Sequence, residues 1–216
     1  MRHIHPLEPI GVVVLILILW YMRRKPKQQG AGGGAKRVEP RAGVQRAAKV
    51  EQPAEVVYMD LRQKALATVR DSLGLPGLPG DIKPDEPYGL VMEMGISDSV
   101  VTLACFANGD ASLYYQSGGG MTGGISHESV RKAARELIAL AQKALPGMTR
   151  TSSHPLPGPG KVRFYALTPR GILTTETDRE ALAQPRNPLA PLFYSGQEVV
   201  SQMRQVQEQR RAEGAG

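Results

Sequence analysis

The sequence predicts an α+β domain behind an amino-terminal membrane anchor, and three observations carry that expectation. Residues 10–22 form an unbroken apolar run closed by Arg23-Arg24-Lys25. Farther along, short segments with a period of two cluster around Asn108-Gly109 and Pro169-Arg170-Gly171, the turn chemistry of antiparallel hairpins. Between and around them, apolar residues recur at helical spacing in three stretches. The resulting order is α-βββ-α-ββ-α, a small antiparallel sheet of about five strands flanked by helices.

The apolar run of 13 residues would extend roughly 20 Å as a helix, short of the ~30 Å hydrocarbon core. It has no polar face, which excludes a surface-lying amphipathic helix. Trp20 and Tyr21 close it as interfacial aromatics do, with Arg23 and Arg24 immediately after. A cleaved signal peptide has the reverse order, positive charge before the run and small residues after it. Residues 10–22, with Ile10, Leu15 and Leu19 in the run, are therefore read as an uncleaved single-pass anchor that local bilayer thinning accommodates. Nine Lys and Arg in residues 23–49 outweigh Arg2 on the other side. This places residues 1–9 outside and the domain in the cytoplasm.

Residues 23–55 combine a run of glycines at 32–34, Pro40, Pro53 and scattered basic side chains without apolar periodicity, the composition of a flexible linker. Charge is unevenly placed. Residues 1–55 carry 10 Lys+Arg against 4 Asp+Glu, a net +6, and residues 56–216 carry 17 against 16, a net +1. The basic character therefore belongs to the tail, and the domain has no electrostatic footprint for nucleic acid. At 216 residues one domain with appendages is the expected organisation, here residues 56–207 with a disordered tail at 208–216.

Asp60 is expected to cap the first helix, with Leu61, Ala65, Val69 and Leu73 on one face and Gly74 ending it. Leu90, Met92 and Met94 alternate in a half-buried first strand, with Glu93 on its solvated face. Ser97-Asp98 turns into a strand at 100–106. Asn108-Gly109, the pair for a type I′ turn, leads to a third strand at 112–116. Ser126 is placed to cap a helix in which Val130, Ala134, Leu137, Ala141 and Leu145 recur, and Pro146-Gly147 stops it. Strands at 162–166 and 172–177 follow, and Ser195-Gly-Gln-Glu198 reads as a capping box opening the last helix.

The glycine-rich segment 116–126 is the one candidate ligand site. Gly118, Gly120 and Gly123 fit G-x-G-x-x-G between a strand and a helix, where backbone amides, Ser126 and His127 could meet a small anion or nucleotide. A dinucleotide fold would need a parallel β-α-β unit, whereas the preceding strand belongs to a hairpin, and G-K-[ST] is absent. A Gly-rich connection, with glycine supplying positive φ and close helix-to-sheet contact, is the favoured reading of the segment. His154 lies in a proline-rich loop and reads as bland. A lone Cys105 in mid-strand reads as a buried inert thiol and excludes a cysteine metal site. No catalytic or metal-binding motif occurs, and no cofactor is expected. The expected function is a membrane-tethered cytoplasmic interaction domain contacting the bilayer through residues 10–22 and a protein partner through a sheet face or edge rimmed by Tyr115 and residues 118–124. The alternative is a small-anion or nucleotide-binding domain, with or without enzymatic activity, that uses loop 118–124 and the N-terminus of the following helix.

Overall fold

The structure, a computed structural model, describes residues 52–75, 83–184 and 186–213. The anchor residues Ile10, Leu15, Leu19, Trp20, Tyr21, Arg23 and Arg24, and the linker through residue 51, lie outside the described residues. Among the described residues no helix is long and apolar enough to cross a membrane. The folded unit begins at Ala54.

Its class is α+β. Helix α1 (Ala54–Leu66) precedes strands β1 (Gly89–Ile96), β2 (Ser99–Phe106), β3 (Ala111–Tyr115) and β4 (Gly120–Met121). Helix α2 (Glu128–Ala144) leads to β5 (Thr149–Thr151), β6 (Lys161–Thr168) and β7 (Gly171–Asp178), and α3 (Ala190–Glu213) closes the chain. The sheet has seven strands in the order β4-β3-β2-β1-β6-β7-β5, not five. Every pairing is antiparallel. The two extra strands are the short edges β4 and β5, with two and three residues, too brief to show a period of two. Such short edges resist edge-to-edge pairing.

Both faces of the sheet's central strands are covered. Tyr58, Ala65 and Leu66 of α1 pack with Val91, Ala104, Tyr165 and Leu167 on one face. On the other, α2 and α3 lie against each other and against Met92 and Leu103. There a Cβ at Gly196 would stand 2.6 Å from Met92 Cε, so the glycine sets how closely α3 approaches the sheet. With helices on both sides, central β1 is buried along its whole length. The half-buried strand expected from its alternation is therefore wrong, and Glu93 is fully buried.

Local expectations are also corrected. Helix α1 starts at Ala54, just after Pro53, so Asp60 lies within it and pairs with Lys64 one turn on. The expected face breaks at Leu66, and Val69 is exposed. The Asn108-Gly109 hairpin forms, but Gly109 alone has positive φ, +94°. The Gly109 amide donates to Phe106 carbonyl and the Phe106 amide to Asp110 carbonyl. This is a type I turn followed by a left-handed glycine, not type I′. Ser126 lies in a 3-10 turn, and His127 occupies the N-cap of α2 without a side-chain capping bond. Helix α3 opens at Ala190, five residues before Ser195, and continues to Glu213 through the expected tail. Asn187 explains that start: its Oδ1 accepts from Leu189 amide and its carbonyl from Ala190 amide.

Candidate functional site

Two regions concentrate polar groups. The first lies under α1, where the strand register aligns Thr102, Glu93, Arg163 and Glu176 in one row across β2, β1, β6 and β7. Arg62 descends from α1 onto this row, its Nε donating to Glu93 Oε1 at 2.5 Å and its Nη2 to Oε2 at 2.9 Å. Thr102 Oγ1 also donates to Oε1, at 3.2 Å, so the Tyr58 hydroxyl must be the donor to Thr102, at 2.8 Å. Every buried charge is thereby paired and hydrogen-bonded, the condition for keeping a carboxylate in an apolar layer. Beside it, Arg163 pairs with Glu176 at 2.6 Å.

This cluster also straps the loop between β5 and β6 onto the sheet. Arg62 Nη2 donates to His154 carbonyl at 2.8 Å, and Tyr165 hydroxyl to Pro155 carbonyl at 2.6 Å. The Gly160 amide donates to Gly95 carbonyl, and a Cβ at Gly95 would overlap the Gly158 carbonyl oxygen. The His154 ring stands edge-on to Tyr165, with its buried Nε2 unpartnered among the described residues. Burial, reinforced by Arg62 and opposed by Glu93, lowers the His154 pKa. Burial likewise pushes Tyr58 up to about 12, against the Thr102 hydrogen bond and with the Glu93 charge. At Arg62 burial opposes the charge, yet the Glu93 pair outweighs it and the pKa is raised. With Glu93 enclosed and both its oxygens engaged, the cluster is built to hold helix, sheet and strap together.

The second region is a pocket of about 210 Å³ between the glycine-rich segment and the carboxyl-terminal half of α3. Gly120 and Gly123 line it, as does His127; Gly118 and Ser126 do not. Gly118 has φ +103° in the β3–β4 turn, and Gly120 sits in β4 opposite Tyr114, where a Cβ would overlap the Leu113 carbonyl oxygen. These glycines thus serve a tight hairpin, and the strand-to-helix cradle implied by the motif does not form as one unit. Opposite them stand Met203, Val206, Gln207 and Arg210. Arg210 Nη2 lies 2.7 Å from His127 Nε2. A guanidinium only donates, so the imidazole accepts at Nε2 in its neutral form.

Comparison with family models, with curated proteins and with solved structures returned no match. Among the described residues, no group of three or more His, Cys, Asp or Glu could hold a metal ion. Cys105 is fully buried, and burial drives its thiol pKa far up.

The expected rim of a contact surface is only partly exposed: the glycine-rich segment 118–124 lies mostly at the surface, and Tyr115 does not. Tyr114 and Tyr115 are both buried, whereas β7 and the edge strand β5 stay exposed or half-buried along their lengths. Exposed large apolar side chains instead gather at the start of α1, where Val56, Val57 and Met59 are 51%, 40% and 41% exposed. Sequence reasoning missed the Arg62–Glu93 pair and the pocket wall on α3. A lone acid in an otherwise apolar strand signalled the former, once that strand is known to be central. Nothing in the sequence brings Arg210 to His127, because 83 residues separate them.

Proposed function

We propose that this chain is a single-pass, membrane-tethered interaction domain on the cytoplasmic side, without catalysis of its own. Residues 10–22 hold it in the bilayer, residues 23–53 are the spacer, and a protein partner meets the folded unit through the outer face of α1. One observation carries the reading of the surface. The first helix after the spacer turns Val56, Val57 and Met59 outward, while Tyr58, Arg62, Ala65 and Leu66 fill its inner face. An outward apolar group beside the point of attachment is where burial against a partner yields most, roughly 25 cal/mol per Å² removed from water. The near-neutral charge of residues 56–216 supports protein over nucleic acid as the partner.

The test is site-specific photo-crosslinking of the full chain in intact membranes, with the crosslinker at Val57 or at exposed Lys132 on α2. Discrete adducts from position 57, lost on Val56→Ser with Met59→Ser and absent from position 132, are the expected result. Equal patterns from both positions would refute the surface assignment.

A further inference from the structure

We infer that the pocket between β4 and α3 is a binding site for a small amphiphilic anion, a carboxylate or phosphate ester on a short apolar body. The site is distinct from the α1 surface and does not depend on the chain being tethered. Its lining is two-sided. Val130 from α2 with Met203 and Val206 from α3 form an apolar part, and His127, Gln207 and Arg210 supply the polar part. At about 210 Å³ it falls below the ~300–1,000 Å³ of clefts for drug-sized ligands. That size limits the apolar body to a few carbons and excludes a dinucleotide.

Arg210 selects the charge. Its contact with His127 uses one of five guanidinium donors, and among the described residues no carboxylate lies within ion-pair distance of it. Neutral His127, which accepts that bond, leaves the positive charge uncompensated. An anionic head on the remaining donors would form charge-assisted hydrogen bonds. The wall opposite Arg210 adds no carboxylate to repel it: Gly120, Gly123 and Gly124 present backbone only, and a Cβ at Gly124 would stand 2.8 Å from Val130 Cγ1. The apolar body then covers Met203 and Val206, so neither an inorganic anion nor a neutral alcohol satisfies both halves.

Calorimetric titration of the full chain in nanodiscs, with empty nanodiscs as blank, tests this with four probes: hexanoate, hexyl phosphate, inorganic phosphate and hexanol. Saturable one-to-one binding of hexanoate, hexyl phosphate or both is expected, with inorganic phosphate and hexanol at least tenfold weaker. Which of the two binds identifies the head group. Arg210→Gln should weaken binding by about tenfold or more, the loss of a charge-assisted pair. Val206→Trp, at a half-buried position, should abolish it by filling the pocket, and His154→Gln should leave it unchanged. Absence of saturable binding, inorganic phosphate matching hexyl phosphate, or insensitivity to both Arg210→Gln and Val206→Trp would each overturn the inference.

Discussion

Glu93 and Arg62 show how one residue pair can govern the attachment of a helix, a strand and a loop. Their side chains are 0% and 4% exposed, so either charge left alone would be stranded in an apolar layer. Removing one partner of such a pair typically costs about 3–5 kcal/mol, whereas replacing both by apolar groups of similar volume is often close to neutral. Glu93→Gln should therefore lower the denaturant midpoint strongly, and Arg62→Met with Glu93→Met should recover much of the loss in the same equilibrium unfolding experiment. Two titrations follow from the same cluster. His154 has its pKa lowered in the fold, so the unfolded chain binds more protons as pH falls through about 6.5. Its contribution to stability is lost over that descent and levels off below the folded value. His154→Gln should flatten that limb of a pH-dependent unfolding curve. Tyr58 has the opposite window: with an ordinary value of 10.0 and a folded value of about 12, it favours the fold below pH 10.0 and loses that contribution as pH rises toward 12. Tyr58→Phe should remove this alkaline loss.

Among the elements, close approach is decided by glycines, and the atom each faces determines the cost of replacing it. A Cβ at Gly95 would overlap the backbone carbonyl of Gly158, which the Gly160-to-Gly95 hydrogen bond holds in place. At Gly196 it would meet the flexible end of Met92. Overpacking costs about 1–3 kcal/mol, and more where the neighbour cannot yield. Gly95→Ala should thus destabilise more than Gly196→Ala, as paired thermal melts would show. Gly120→Val should also destabilise, by breaking β3–β4 pairing, and is a poor probe of ligand binding. The same contrast explains what was legible in the sequence. Strands β1, β2, β3, β6 and β7 and the core of α2 were readable because their periods run for five residues or more. Edges β4 and β5 take their conformation from a neighbouring strand, so no local pattern announced them. The start of α3 was misread because Ser195-Gly-Gln-Glu198 satisfies the local rule for a helix start, while Asn187 and the burial of Leu192 and Phe193 begin the helix earlier. Glu93 was misread for a related reason: alternation reports side-chain direction, and only a second covering layer makes both directions inward. Of the candidate ligand residues, Gly120, Gly123 and His127 reach the pocket through local sequence. Arg210 and Gln207 reach it through the packing of α3 on α2, which no spacing encodes.

For the molecule as a whole, the division of charge and apolar length organises the proposal. Thirteen apolar residues and nine basic ones precede a unit whose charge is nearly balanced, and on that division the proposal assigns attachment and recognition to different stretches of chain. Cys105 is a free thiol and fully buried. It should stay unreactive toward a thiol reagent until the chain is unfolded, when labelling should reach one thiol per chain. Membrane tethering with a cytoplasmic domain is tested most directly by expressing the full chain with a carboxyl-terminal reporter, then fractionating cells and applying protease to sealed membranes of known sidedness. Retention in the membrane fraction through carbonate washing, with the reporter digested only from the cytoplasmic side, is the predicted result. A soluble product, or a reporter protected in the translocated compartment, would contradict it.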